Sequence, residues 1–218
     1  MKKNLFLLLL LTVTYTSYGQ YFETKLFIDP EFSKYANNHK IIAVVPFVTS
    51  ITLRAKQSEK LKEGQLEKME EIESLNVQQS MCSWFVKRKE KGTMWVDVQD
   101  AKTTNDLLAE HRITYSNISE FTPNELAKIL KVDAIVRGFY KTKNPITDLA
   151  SFGLMLGRIS GSTNESKINM FIHNSGDAKL LVQYTKIVSG SFGSSSDQLI
   201  NALMRKASRR IPYTKPKE

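Results

Sequence analysis

Histidine is the side chain through which this sequence could most readily bind a metal or move a proton, and its spacing argues against a metal site. His39, His111 and His173 are far apart, and none has a second ligand at the short spacing that metal sites use. The chain also lacks a G-x-S-x-G elbow, an H-E-x-x-H helix and a G-x-x-x-x-G-K-[ST] loop. We therefore predict no metal, no cofactor and no catalytic residue.

Polar side chains near the ends of apolar runs are a second source of chemistry. Residues 46–50 follow the first such run and contain no glycine, so the G-x-G-x-x-G turn of a dinucleotide site is missing where it would be needed. Doubly wound sheets nevertheless place ligands beyond the ends of their strands. The candidate ligand cleft comprises Thr49, Ser50, Asp97 and Arg137.

Arg137 lies in the middle of the apolar stretch DAIVRGFY, where a charge needs a compensating group. We predict a structural ion pair, and a contact with a ligand is the alternative. The candidate partners are Asp133, Asp97 and Glu125.

The positive charge of the chain is concentrated at its C-terminus. The formal net charge is +9, and residues 205–218 alone contain six basic side chains and one acidic one. A nucleic-acid-binding domain carries its charge over a whole face, so we predict no nucleic-acid partner. Arg205, Lys206 and Arg209 share the outer face of the last helix. They either remain solvated or contact an anionic envelope polymer, a lipid surface or an acidic protein.

The first residues are typical of a secretory leader. Two lysines precede the apolar run Leu5–Leu11, and the small residues Ser17 and Gly19 precede the expected cleavage site, so we predict a signal peptide at 1–19. The apolar run is shorter than the roughly 20 residues of a membrane span, and a retained anchor is the alternative. We expect a periplasmic or extracellular protein without a transmembrane span. Cys82 is the only cysteine, which excludes an internal disulfide and favours a buried thiol.

Apolar periodicity predicts the elements of the first half. The continuous run Ile41–Val48 is typical of a strand buried on both faces, and a polar helical pattern extends over Leu53–Lys91. A short strand in TMWVDVQD and a helix at Thr103–His111 follow. An edge strand at Thr24–Ile28 is expected in the preceding arm.

The stretch FTPNELAKIL contains a well-defined helix start. Thr122 is placed to cap the helix, Pro123 occupies its first turn and Glu125 completes a capping box. The helix leads directly into the apolar strand Ala134–Tyr140, whose side chains we expect to be buried. Gly138 in this strand indicates that backbone or a helix comes close.

Residues 144–166 form an insert in which glycine and serine are scattered among apolar side chains. A short helix is expected near Asp148–Leu156. The insert is either an interaction surface or a packed loop. Its candidate interaction residues are Phe152, Leu154 and Leu156.

The C-terminal part predicts a β-hairpin and a helix. In INMFIHN, Ile168, Met170 and Ile172 alternate with Asn169, Phe171 and His173, and an Asn-Ser-Gly-Asp turn follows. Ser195 and Gln198 then form the capping box of an amphipathic helix.

Together these elements predict an α/β fold with three layers. A mixed, mainly parallel sheet is flanked by helices and carries a C-terminal antiparallel β-hairpin and a terminal amphipathic helix. The single domain is expected at 40–213, after an arm at 20–39 and before a tail at 214–218.

Three stretches resemble a bacterial envelope superfamily. They are IIAVVPF, then ELAKILKVDAIVRGFY, then the strand pair and terminal helix, and together they span about Lys40–Tyr213. The chain is similar to the α/β module of the TolB amino-terminal domain, the penicillin-binding-protein activator lipoproteins and CsgG. This resemblance implies an adaptor, activator or secretion-complex role without catalysis. The lipidation cysteine and the TolB propeller are missing.

We therefore expect an exported, non-catalytic envelope protein that serves as a protein-interaction or assembly module. The alternative is a small-molecule or glycan-binding protein, or an unrecognised hydrolase, that uses the cleft at the strand ends. Oligomerisation through the charged part of the long helix is a third hypothesis.

Overall fold

A computed structural model describes residues 24–59, 61–143, 165–190 and 195–214. The strands are β1 (Thr24–Ile28), β2 (Ile41–Val44), β3 (Val48–Thr52), β4 (Asp97–Val98), β5 (Ala134–Lys143), β6 (Glu165–Asn174) and β7 (Leu180–Ser189). The helices are α1 (Phe32–Ala36), α2 (Ala55–Ser58), α3 (Gln65–Glu90), α4 (Ala101–Glu110), α5 (Pro123–Leu130) and α6 (Ser196–Ser208). The predicted leader and the insert residues Phe152, Leu154 and Leu156 lie outside the described residues.

These strands form one mixed sheet in the order β1-β7-β6-β5-β2-β4, with β3 also paired to β5. The parallel pairings that involve β2, β3 and β4 are short. Antiparallel pairing joins β5 to β6 over ten residues and continues through β7 to β1. The prediction of a mainly parallel sheet is therefore wrong. The C-terminal hairpin belongs to the main sheet, because its first strand pairs with β5 along the full length of that strand. It therefore adds most of the pairings, and they are antiparallel.

The apolar run that was expected to be one strand is divided at Pro46. Residues Ile42 to Val44 pair with the first half of β5, and pairing resumes at Val48 beside Phe139. Three residues of this segment therefore lie opposite two of β5, as in a β-bulge. Proline has no N–H to donate to the ladder, which explains why the interruption falls there.

Two apolar clusters lie on opposite faces of the sheet. One joins α3 and α6 to alternate residues of the strands, including Ile42, Val44 and Met170. The other joins α4 and α5 to the intervening residues Ala43 and Ile135. Successive strand residues point to opposite faces, so the helices do form two outer layers. The second helical layer covers only the parallel side of the sheet.

The long polar helix is shorter than predicted. α2 ends at Ser58, and α3 begins only after Gly64, whose φ is 76°. A residue with this backbone conformation cannot continue a helix, and glycine adopts it without steric cost. None of the described helices combines the length and the apolar character that a membrane span requires.

Local signals correctly placed the starts of α5 and α6. The Thr122–Glu125 capping box of α5 and the Ser195–Gln198 box of α6 are both present. α4 begins two residues before the predicted start, because the Asp100 side chain accepts a hydrogen bond from the Thr103 N–H and caps it. The expected edge strand β1 is confirmed.

Candidate functional site

The most distinctive surface is the side of the antiparallel strands that faces away from α3 and α6, which we call the open sheet face. It begins beyond Ile135, the last β5 residue under α4 and α5. Cross-strand partners define its rows: Arg137 lies opposite Phe171, Phe139 opposite Asn169, and Lys141 opposite Lys167. No helix of the described ranges joins these side chains to an apolar cluster.

Aromatic side chains occupy the centre of this face. Phe139 is 45% exposed, although the apolar context of its strand predicted burial. Its ring meets the ring of Phe171 edge to face, with centroids 6.2 Å apart. On the outer strand β1, Phe27 is 46% exposed and lies opposite Gln183. An antiparallel sheet can leave one face in water, but exposed aromatic rings such as Phe139 and Phe27 on such a face are typical of a contact surface.

Arg137 is half-buried at the border between the open sheet face and α5. Its guanidinium donates one hydrogen bond to the Phe121 carbonyl oxygen over 3.0 Å. Burial lowers the pKa of Arg137. The ion pair predicted for this residue does not form with any described acidic residue.

The three carboxylates expected to pair with Arg137 are engaged elsewhere. Asp133 accepts hydrogen bonds from the backbone of Lys40 and Ile41. Asp97 forms an ion pair with Lys89, and Glu125 belongs to the capping box of α5. Backbone hydrogen bonds, an ion pair and helix capping therefore engage the three carboxylates that the sequence offered as partners.

His173 borders the same site. It lies opposite Ile135, and its ring centroid is 6.2 Å from that of Phe171. Burial, aided by the nearby charge of Arg137, lowers the pKa of His173 to about 4, so the imidazole is neutral at pH 7. Its Nδ1 atom is buried and has no hydrogen-bond partner in the described part of the chain.

The residues predicted to line a ligand cleft do not come together. Thr49 is buried, and its backbone N–H and carbonyl both bond to the Tyr115 hydroxyl. Ser50 is exposed and lies opposite Lys141 on the open sheet face. Asp97 pairs with Ile41 at the opposite end of the parallel strands. Arg137 and Ser50 therefore share a face, whereas Asp97 and Thr49 belong to other parts of the molecule.

A second charged surface lies where α3 and α6 end. The two helices run parallel. Ser196, at the start of α6, contacts Glu73 in the first half of α3, and Ser208, at the end of α6, contacts Arg88 near the end of α3. Their last turns therefore bring basic side chains together, and Arg209 helps to lower the pKa of Arg88, an effect due mainly to burial. We call this surface the basic end. Its exposed members include the predicted interaction residues Arg205, Lys206 and Arg209.

Ionisable groups in the core have structural rather than reactive surroundings. Cys82 is buried, as the sequence predicted, and burial raises the pKa of its thiol to about 12. No group of three metal-ligating side chains occurs in the ranges that the structure describes.

Glu73 is an almost fully buried carboxyl between α3 and α6. The Ser196 hydroxyl donates a hydrogen bond to it at the start of α6. Nearby, the Tyr140 hydroxyl donates to Ser166, which donates in turn to Thr142. Burial raises the pKa of Glu73 above its ordinary value of 4.5. Because both Glu73 and Ser196 are 2% exposed, this network is inaccessible to a substrate.

The buried carboxyl should make stability depend on pH. Since folding raises the pKa of Glu73, its contribution is fully present below about pH 4.5 and is lost as the pH rises through the folded-state pKa. Glu73→Gln is therefore expected to stabilise the protein at pH 8 and to have a smaller effect at pH 4.5. Urea midpoints of both proteins across this range measure the difference. If the urea midpoints of the two proteins changed with pH in the same way, the pKa of Glu73 would be the same in the folded and unfolded states, and the prediction would be wrong.

Comparisons with known proteins find only distant structural similarity. The PelC dodecamer from Paraburkholderia phytofirmans matches with a TM-score of 0.47 and 8% identity, over 89% of this chain and 99% of that chain. Lipoprotein GNA1162 from Neisseria meningitidis gives 0.43 and 13%, over 78% and 94%. The LpoB C-terminal domain from Salmonella enterica gives 0.33 and 9%, over 73% and 93%.

No family model matches the chain, and no curated protein matches it. These three proteins come from bacteria, and one of them is a lipoprotein. Their low TM-scores carry no argument about what this chain binds.

Proposed function

We propose that this chain is an exported, non-catalytic protein of the bacterial envelope that serves as a protein-interaction or assembly module. The open sheet face is its docking surface. The observation that carries this proposal is the exposed ring of Phe139, packed edge to face on the half-buried Phe171, on a sheet side without a described helical cover. Burial of such rings stabilises a complex by roughly 25 cal/mol per Å² of apolar surface removed from water. A partner that covers this face would bury them.

The arrangement of the polar groups supports binding over hydrolysis. A hydrolase needs a nucleophile within hydrogen-bond reach of a base. Thr49 is buried and engaged, and Asp97 lies at the opposite end of the parallel strands from Ser50. These positions favour the interaction module over the hydrolase or ligand-cleft alternative.

Site-specific photo-crosslinking in intact cells tests the proposal. A benzophenone amino acid at Phe139 is expected to give a discrete protein adduct, because that side chain lies inside the docking surface. The matched control is Val86 on α3, which is 46% exposed and lies on another side of the molecule. An adduct with twice the mass of the chain would identify a second copy as the partner.

Two outcomes of the crosslinking experiment would contradict the proposal. If Phe139 gives no adduct, or if Val86 gives the same adducts at similar yield, the open sheet face is not the docking surface.

A further inference from the structure

We propose that the open sheet face recognises an acidic segment of a partner protein. Arg137 binds a carboxylate at one end of the face, Lys141 and Lys167 bind a second carboxylate at the other, and Phe139 and Phe171 cover apolar side chains between them. This inference rests on the proposed function, and it adds the chemistry of the partner.

The first observation is that the guanidinium of Arg137 has no counterion among the described residues. Arginine carries five N–H donors that match a carboxylate in a two-bond geometry. Only one hydrogen bond, to the Phe121 carbonyl, is formed with the described residues. A half-buried charge without a counterion costs free energy. An incoming carboxylate would recover that cost, which gives the site a specific preference for an anion.

The second observation is a pair of like charges. Lys141 and Lys167 lie directly opposite each other on neighbouring strands, and neither forms an ion pair with a described residue. Like charges in this position repel and destabilise the sheet. The next outward pair, Lys143 and Glu165, is instead compensated by an ion pair of 3.1 Å. The repulsion at Lys141 and Lys167 would be relieved by a bound carboxylate.

The third observation is the apolar surface between the two cationic points. Arg137 and Lys141 are four residues apart on β5, which corresponds to about 13 Å at the rise of a strand. Phe139 lies midway and is exposed. A uniformly charged polymer would leave this ring uncovered. A polypeptide with apolar side chains between two acidic ones fits both features, at about four residues when extended or about nine when helical.

Charge variants of the Phe139 crosslinking protein test this inference. Arg137→Gln, and separately Lys141→Gln with Lys167→Gln, are expected to reduce the yield of the adduct at least tenfold. The control combines Lys91→Gln with Lys128→Gln, which removes two exposed cations elsewhere and should leave the yield unchanged. Melting temperatures confirm that each variant is folded.

Charge reversal separates binding from stability. Lys167→Glu places opposite charges across β5 and β6, so the melting temperature is expected to rise while the adduct is lost. A merely structural role for Lys167 would not predict lost binding in a more stable protein. In addition, a carbodiimide, which joins amines directly to carboxylates, should link Lys141 or Lys167 to an aspartate or glutamate of the partner.

Each outcome has a distinct meaning. If the yield of the Phe139 adduct is unchanged when Arg137, Lys141 and Lys167 are replaced, this inference is wrong, although the open sheet face is still the docking surface. An adduct that resists protease and contains glycan or lipid also overturns it, because the partner is then not a polypeptide. Absence of any adduct at Phe139 overturns the proposed function itself, and this inference with it.

Discussion

Replacing Gly138 with alanine is expected to destabilise the fold by about 3 kcal/mol or more, since overpacking a dense core costs about 1–3 kcal/mol and rigid surroundings increase the cost. A Cβ atom at this position would lie 2.2 Å from the Asn169 carbonyl oxygen and 2.7 Å from a ring carbon of Phe47. The Phe47 ring can move, but the Asn169 oxygen belongs to the backbone of β6. Equilibrium urea unfolding measures the loss.

Gly176 provides the matched control for this prediction. It lies in the hairpin turn, and a Cβ there would come no closer than 3.4 Å to the Asn174 side chain. Gly176→Ala should change stability by no more than about 0.5 kcal/mol, as is usual for surface substitutions. Adding Phe47→Leu to Gly138→Ala should not restore stability, because the contact with Asn169 remains. Restoration would show that the ring, and not the strand backbone, limits the space.

Tyr213→Ala is expected to cost about 3–5 kcal/mol, in the range of large aromatic truncations in cores. Tyr213 is fully buried near the C-terminus. Its ring packs edge to face against Phe32 of α1, at 5.1 Å between centroids, and against Trp95, at 5.8 Å. The substitution therefore removes contacts between the C-terminal segment and two distant parts of the chain. Tryptophan fluorescence during urea unfolding measures the resulting loss in the free energy of unfolding.

Tyr213→Phe separates the hydrogen bond from the packing. The Tyr213 hydroxyl bonds to Nδ1 of His39, whose other ring nitrogen bonds to the Asn174 side chain over 2.9 Å. Phenylalanine would keep the ring contacts and leave the buried Nδ1 unpaired, at a cost of about 1–3 kcal/mol. Equal losses for the two variants would mean that packing contributes little and that the polar contact dominates.

Elements with strong local signals could be predicted from the sequence. Thr122 and Glu125 bond to each other's backbone within one turn, so the start of α5 needs no distant partner. The alternation of Ile168 and Met170 with polar residues likewise defined an inward and an outward side of β6, and both residues are fully buried. Such patterns depend only on residues close together in the sequence, so they do not change with the strand that lies alongside.

The candidate site could be predicted only in part. Arg137 was recognised as a charge in an apolar strand, but its expected partners proved to be engaged by backbone hydrogen bonds, an ion pair and helix capping. Lys141 and Lys167 were not singled out, because they are 26 residues apart in the sequence and become opposed only through the register of β5 and β6. Alternation in the two strands was the available signal, and it does not specify register.

The sequence by itself determined where α5 and α6 begin, that the C-terminal hairpin forms, and which side chains of β6 point inward. Only the tertiary structure decided that the hairpin would complete the sheet, and that Phe139 would remain exposed on a side that α4 and α5 do not cover. The physical reason is that periodicity and capping depend on residues within a few positions. Sheet order, register and helical cover are set by the packing of distant segments, which no local pattern encodes.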